Sequence, residues 1–327
     1  MTTETYARDD GTVRVTELDD GRRSIEVDPA PGVVVARTHW DTAYPLELIE
    51  AVLEVKGAAW VCDEIMRDED PGYVRRNLAE VLAAYAGPWQ TSVRRILDFG
   101  CGCGSSTVAL AAHFPDAEIV GVELLDAHVD LARRRLAHHD IDGARVLLSP
   151  SGDSVPDGIG RFDLVCLSAV YEHLLPDERP VILGLLDRLT GPGGTLLVFE
   201  TPDRRFPIEV HTSGLPLVNY LPDRLAFAAV RRFSRRVDGH STDTDLLREG
   251  VRGATVGEIE RNLRARGGHW RRLPPTAPGL RRQSQIWYRA AAERLSARPA
   301  LRRAVSLIDR LGLPVSPYLT LAYRKLD

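Results

Sequence analysis

The chain has little cysteine, with four in 327 residues, and few aromatic side chains, at 6%. Cys62, Cys101, Cys103 and Cys166 are too few for a disulfide framework, and Cys101 and Cys103 alternate with glycines instead of forming a Cys-x-x-Cys pair. Reduced, buried thiols are expected. No apolar run is long enough to cross a bilayer, no signal-peptide pattern opens the sequence, and no internal repeat or low-complexity stretch interrupts it. The expectation is a cytoplasmic globular protein of one large domain or two smaller ones.

Charge of one sign is also missing overall, since the net charge is only -4. The balance is uneven along the chain, however. Residues 1–220 hold 20 basic and 36 acidic side chains, whereas residues 221–327 hold 22 and 10. Such a split fits two parts of one molecule, or two subunits of a homodimer, attracting each other, and it also fits an anionic substrate or surface.

Alternation of apolar and polar residues from Thr12 to Val27, around Asp20-Gly21, predicts a small hairpin. From Tyr44 to Ala86 the spacing becomes helical, with Leu46, Ile49, Val52 and Leu53, then Val74, Leu78, Val81 and Leu82. Five short apolar runs follow, at 94–100, 118–124, 144–150, 162–168 and 194–200, and the first, second and fourth lead into helical periodicity. Nearly apolar strands alternating with helices predict a parallel sheet covered on both faces. After Pro202 comes a long section of loop and helix, including a helix over 255–265, and the apolar run 316–326 is expected to return as an extra strand.

Chemistry enters at "RRILDFGCGCGSSTVAL" (94–110), where Gly100, Gly102 and Gly104 stand between the first strand and its helix. A glycine-rich turn there lets a ligand lie against bare backbone at the helix N-terminus. Glu123, closing the second strand, is placed to accept hydrogen bonds from two ribose hydroxyls. The dinucleotide fingerprint G-x-G-x-x-G would need glycine at 105, where Ser105 stands, and the pattern here is D-x-G-x-G-x-G. Asp98, read as part of the turn, would repel a pyrophosphate and suit a cationic amino group.

At these residues the sequence resembles the class I S-adenosylmethionine-dependent methyltransferase family. Asp98, Gly100, Gly102 and Gly104 match its first motif, Glu123 its ribose-binding acid, and "SGDSVP" (151–156) the motif after its third strand. The resemblance implies an α/β, Rossmann-like fold with a mostly parallel seven-stranded sheet, an N-terminal helical cap and helical insertions after the fifth strand. It implies S-adenosylmethionine as cofactor, with Asp153 meeting the adenine amino group and Cys101, Leu124, Gly152 and Ser168 completing the binding set. The expected organisation is a hairpin and cap over 1–90, the cofactor-binding core over 91–202, and a substrate-side insertion, C-terminal helices and final strand over 203–327.

A sulfonium methyl is already activated, so holding a nucleophile in line with it does most of the work, and a general base helps a hydroxyl acceptor. Candidates should follow strand C-termini, where open α/β sheets bind ligands. His173, in the loop after the fourth strand, fits best, followed by His211 in the insertion, with Glu172 and Tyr171 as weaker candidates. Their structural alternatives are helix capping, turn formation and core packing. Glu200 and Glu209 with His211 could form a metal site, but no tight ligand spacing supports one, and no metal is expected. Arg67 could pair with the methionine carboxylate of the cofactor, or lie on a solvated helix face. The basic stretch 281–314 reads as a helix docked on the fold rather than at a membrane interface.

Three functions remain. The first is a small-molecule methyltransferase acting on oxygen, in secondary or cell-envelope metabolism, with an acceptor that can be anionic. The second is a nucleic-acid or protein methyltransferase. Nucleic acid is not expected, because "LSAV" replaces the NPPY-like tetrapeptide and aromatic residues do not cluster in the basic stretch. The third is a methyltransferase-fold protein performing a non-methylating reaction such as cyclisation.

Overall fold

The computed structural model describes residues 2–69, 73–265, 267–277, 303, 307 and 316–326. The alternating N-terminal stretch folds into an antiparallel sheet of four strands, β1 (Thr3–Arg8), β2 (Gly11–Glu17), β3 (Arg23–Pro29) and β4 (His39–Thr42), in that order. The expected hairpin is its middle, pairing Val13 with Val27 and Val15 with Ile25. The outer strands escape a reading by period because β1 is exposed at all but one position and β4 has only four residues.

Helices α1 (Leu46–Lys56), α2 (Val61–Glu69), α3 (Tyr73–Ala84) and the single turn α4 (Pro88–Thr91) come next. Leu48, Ile49, Val52 and Leu53 of α1 join Val13, Val15, Ile25, Val27 and Ile65 in one apolar core. Each such side chain contributes about 1.5–3 kcal/mol by leaving water.

The strand–helix rhythm then appears as β5 (Arg95–Phe99), α5 (Ser105–His113), β6 (Glu118–Glu123), α6 (Asp126–His138), β7 (Ala144–Leu148), β8 (Phe162–Ser168), α7 (Glu178–Leu189) and β9 (Thr190–Pro202). The insertion holds α8 (Asp223–Phe233), α9 (Asp243–Arg248) and α10 (Val256–Arg264), followed by β10 (Trp270–Arg272) and β11 (Tyr318–Lys325). The second sheet has seven strands in the order β10-β11-β9-β8-β5-β6-β7. β5 and β9 run parallel to β8, β7 runs parallel to β6, and β11 is antiparallel to β9, as expected for the last apolar run. β7 ends the order, and its exposed Leu148 departs from the fully apolar pattern for that reason. β10 gave no signal, being three residues without a buried side chain.

The chain divides into two units, Met1–Ala79 with Cys101–Ser149, and Glu80–Gly100 with Pro150–Asp327. The first contains an ionic centre beneath the N-terminal sheet. Arg135 of α6, fully buried, donates to Glu64 Oε1 at 2.9 Å, to the Tyr44 hydroxyl at 3.0 Å and to the Cys103 carbonyl at 2.8 Å, and faces Asp68 at 3.5 Å. In the second, the insertion has its own small core of Val218, Ala226, Phe227, Val230, Leu246 and Val251. The basic stretch 281–314 lies, but for residues 303 and 307, outside the described residues. Among the described residues no helix is long and apolar enough to cross a membrane.

Candidate active site

The three glycines of the turn are needed for different reasons. All have positive φ, but a Cβ on Gly100 would meet Val170 at 2.8 Å and one on Gly104 would meet the Ala132 Cβ at 2.9 Å. Only at Gly102 is there open space, with no atom within 4 Å. Backbone exposed for a ligand is therefore a property of Gly102, and the other two glycines answer the protein's own packing. Gly102 is also held in place: its N–H donates to Glu123 Oε2 at 2.9 Å, and Oε1 accepts from the N–H groups of Leu124 and Leu125. Burial pushes the Glu123 carboxyl up, but bonds from His128 and these backbone groups outweigh it and hold the pKa below the ordinary value. The acid stays ionised, and Oε2, which accepts only the Gly102 N–H, keeps a lone pair for a further donor.

In the other unit, the turn after β8 brings three side chains together. Glu172, His173 and His211 each offer one ligand atom, and these atoms lie within 4.8 Å of one another. The imidazole rings are 5.3 Å apart between centroids. Two contacts fix His173: its Nδ1–H donates to the Arg248 carbonyl at 2.6 Å, and its own carbonyl accepts from the Arg248 guanidinium. That Arg248 carbonyl belongs to the last residue of α9, where a helix leaves acceptors without an internal partner. Nε2 of His173 therefore keeps its lone pair. Glu172 is fully buried; Oε2 accepts from the Thr201 hydroxyl of β9 at 3.1 Å, while Oε1 has no hydrogen-bond partner. Burial pushes its carboxyl up to about 8, against the opposing effect of bonds from its own backbone and Thr201. Burial and the neighbouring His173 push His211 down to about 4, and burial lowers His173 as well. Gly250 backs the cluster with φ +86, where a Cβ would meet His211 Cδ2 at 2.8 Å and Glu172 Cγ at 3.1 Å.

A loop built on Glu209 carries His211. The Glu209 carboxylate accepts from the backbone N–H groups of His211, Thr212 and Ser213 and from the Ser213 hydroxyl.

A family profile described as a methyltransferase domain matches residues 97–196. Residues 97–196 are a methyltransferase domain. The chain is 36% identical over 110 residues to trans-aconitate 2-methyltransferase of Methylobacterium radiotolerans, covering 34% of this chain and 38% of that protein. It is 26% identical over 166 residues to carboxy-S-adenosyl-L-methionine synthase of Stutzerimonas stutzeri, covering 48% of this chain and 65% of the relative. The chain spans between 38% and 65% of the length of the first curated relatives it matches. Among solved structures, the CcbJ methyltransferase of Streptomyces caelestis is 18% identical, with 80% of this chain and 95% of that chain covered and a TM-score of 0.48.

Within the methyltransferase domain and its flanks, the other expected site residues fall as follows. Asp98 belongs to strand β5 rather than to the turn, is fully buried, and stands in register with Cys166. Cys101 is buried, its N–H donating to the Val122 carbonyl, whereas Leu124 is half exposed. Asp153 is exposed next to Gly152 and accepts from Ser151 Oγ at 2.6 Å within a serine-rich turn. Ser168 donates to Glu200 Oε2 at 3.0 Å. Arg67 faces Asp63 and Glu64 on its own helix, each at 3.5 Å.

Two expectations are corrected. Tyr171 does not join the histidines: it is fully buried, and its hydroxyl accepts from Asn262 at 2.8 Å and lies 3.4 Å from Glu258. The acid beside His211 is Glu172 rather than Glu200 or Glu209, because Glu200 is engaged by Ser168 and Glu209 by its own loop. Thr201, Arg248 and Gly250 gave no sequence signal, since nothing local ties them to His173; Arg248 is 75 positions away.

Proposed function

We propose that the protein transfers the methyl group of S-adenosylmethionine to an oxygen of a small molecule seated against Glu172, His173 and His211. The observation that carries this reading is the convergence of two imidazoles and a carboxylate just beyond the ends of β8 and β9, with the His173 tautomer set by Arg248. Open α/β sheets bind ligands at those ends. A cluster of lone pairs there suits an acceptor whose O–H must be oriented and must lose its proton as the new bond forms. Three acids, Glu200, Glu172 and Glu209, lie near Tyr318, whose hydroxyl burial, and then these acids, push up to about 12. A neutral hydroxyl is favoured over an anionic acceptor. On the donor side, Gly102 and Glu123 take the backbone-contact and ribose roles, and Asp98 and Asp153 keep the roles the family motif implies.

Mass analysis after incubation with donor and candidate hydroxylated acceptors should show a gain of one methyl. His173→Ala and His211→Ala should each lower turnover about 100-fold or more, while affinity for S-adenosylhomocysteine stays near wild type. Unchanged turnover in both variants would remove the cluster from the reaction. A second reading, a reaction other than methyl transfer, is favoured by the relative named a synthase. A product lacking the added methyl would establish it.

A further inference from the structure

We propose that Glu172, His173 and His211 form a binding site for a divalent first-row transition-metal ion of the zinc or cobalt type. The set is two imidazole nitrogens and one carboxylate oxygen, all within 4.8 Å of one another, with His173 Nε2 at 4.0 Å from Glu172 Oε1. Two donors bound to one ion at about 2.1 Å, at a tetrahedral angle, lie roughly 3.4 Å apart, so closing this pair takes about half an ångström of side-chain movement. Borderline nitrogen and oxygen donors of this kind suit zinc, cobalt or iron better than magnesium, which prefers oxygen throughout.

Three further features point to a built site. Glu172 Oε1 is completely buried and has no hydrogen-bond partner, a costly state for an acceptor that a cation would relieve. The outer contacts are those that orient metal ligands: Nδ1–H of His173 donates to the Arg248 carbonyl, leaving Nε2 for the ion, and Thr201 holds the second oxygen of Glu172. Glu209 and Gly250 set the third ligand, the first by tying down the loop that carries His211 and the second by leaving the space His211 and Glu172 occupy. Three protein ligands leave a four-coordinate ion one position for an outside oxygen, and an oxygen bound there gives up its proton more readily. The catalytic meaning of the ion rests on the methyl-transfer reading; its binding does not.

The test uses the full chain without an affinity tag, freed of metal by a chelator and then titrated with Co2+ while the visible absorption of the bound ion and the heat of binding are followed. One equivalent should bind, and Zn2+ should displace it. Glu172→Gln, which keeps size and shape, and His211→Ala should each weaken binding at least about 100-fold; Thr201→Val, which touches no ion, should weaken it about 10-fold. Thermal unfolding without metal identifies any variant that fails to fold, and Glu172→Gln and Thr201→Val are conservative enough to leave two informative arms. No Co2+ bound by the wild type, or equal affinity in Glu172→Gln and Thr201→Val, would overturn the proposal. Methyl transfer at full rate in the metal-free protein would overturn the ion's part in the reaction, leaving the binding site and the methyl-transfer reading intact. A bound ion without methylated product would uphold the site and overturn that reading.

Discussion

Arg135→Met should destabilise the protein by about 3–5 kcal/mol, read as a lower midpoint of urea unfolding. Methionine fills much of the same volume but removes the donors to Glu64, Tyr44 and the Cys103 carbonyl, and it leaves buried Glu64 with Arg67 and buried Asp68 with His139 as their remaining basic partners. The pH dependence carries a definite sign. Burial raises both carboxyls, but the guanidinium charges of Arg67 and Arg135 at Glu64, and of Arg135 at Asp68 with hydrogen bonds from His139 and Tyr44, bring both below their ordinary values. Groups with depressed folded pKa contribute stability that is complete above the unfolded values of about 4 and is lost as pH falls through the folded ones. The gap between wild type and Arg135→Met should therefore shrink as pH is lowered from about 6 to about 3, because the variant no longer needs ionised carboxylates. Adding Glu64→Gln and Asp68→Asn to Arg135→Met should recover more than half of the loss, since no buried charge remains. A pH-independent gap, or no recovery in the triple variant, would show that packing alone makes Arg135 important.

Gly102→Val should abolish donor binding, by at least about 100-fold or roughly 2.7 kcal/mol, with little change in folding. The added side chain enters the one open space in the glycine turn, and at φ +54 its backbone cost is about 1–2 kcal/mol. Gly104→Val gives the contrast. Its Cβ would press on Ala132, so stability falls along with binding. Glu123→Ala should weaken binding by about 1–3 kcal/mol, combining a lost ribose acceptor with a turn no longer held through the Gly102 N–H. Calorimetry with S-adenosylhomocysteine and thermal unfolding on the same samples separate these effects. Wild-type affinity in a folded Gly102→Val protein would show that the ligand does not approach this backbone.

The parallel strands were legible because a strand buried on both faces needs a run of apolar residues, and Leu164–Leu167 of β8 are all fully buried. The same logic fails at the margins. β1 is almost wholly exposed and β10 is three residues long, so neither imposes a pattern on its sequence. The helix face around Arg67 could be read as solvated, yet Glu64 and Asp68 beside it are buried around an arginine that is contributed by α6. An ionic centre has no period, and its members are chosen by packing.

What the sequence by itself determined was the chemistry that is local in the chain: the strand, the glycine turn and the acid at the end of the next strand, whose spacing along a few residues is also their spacing in space. Tertiary structure alone decided which glycine is open to a ligand, because Val170 and Ala132 reach Gly100 and Gly104 from elsewhere in the chain. It also decided that Glu172, rather than Glu200 or Glu209, stands with the two histidines. Side chains whose partners come from distant segments take their roles from how those segments pack, and no short window of sequence records that.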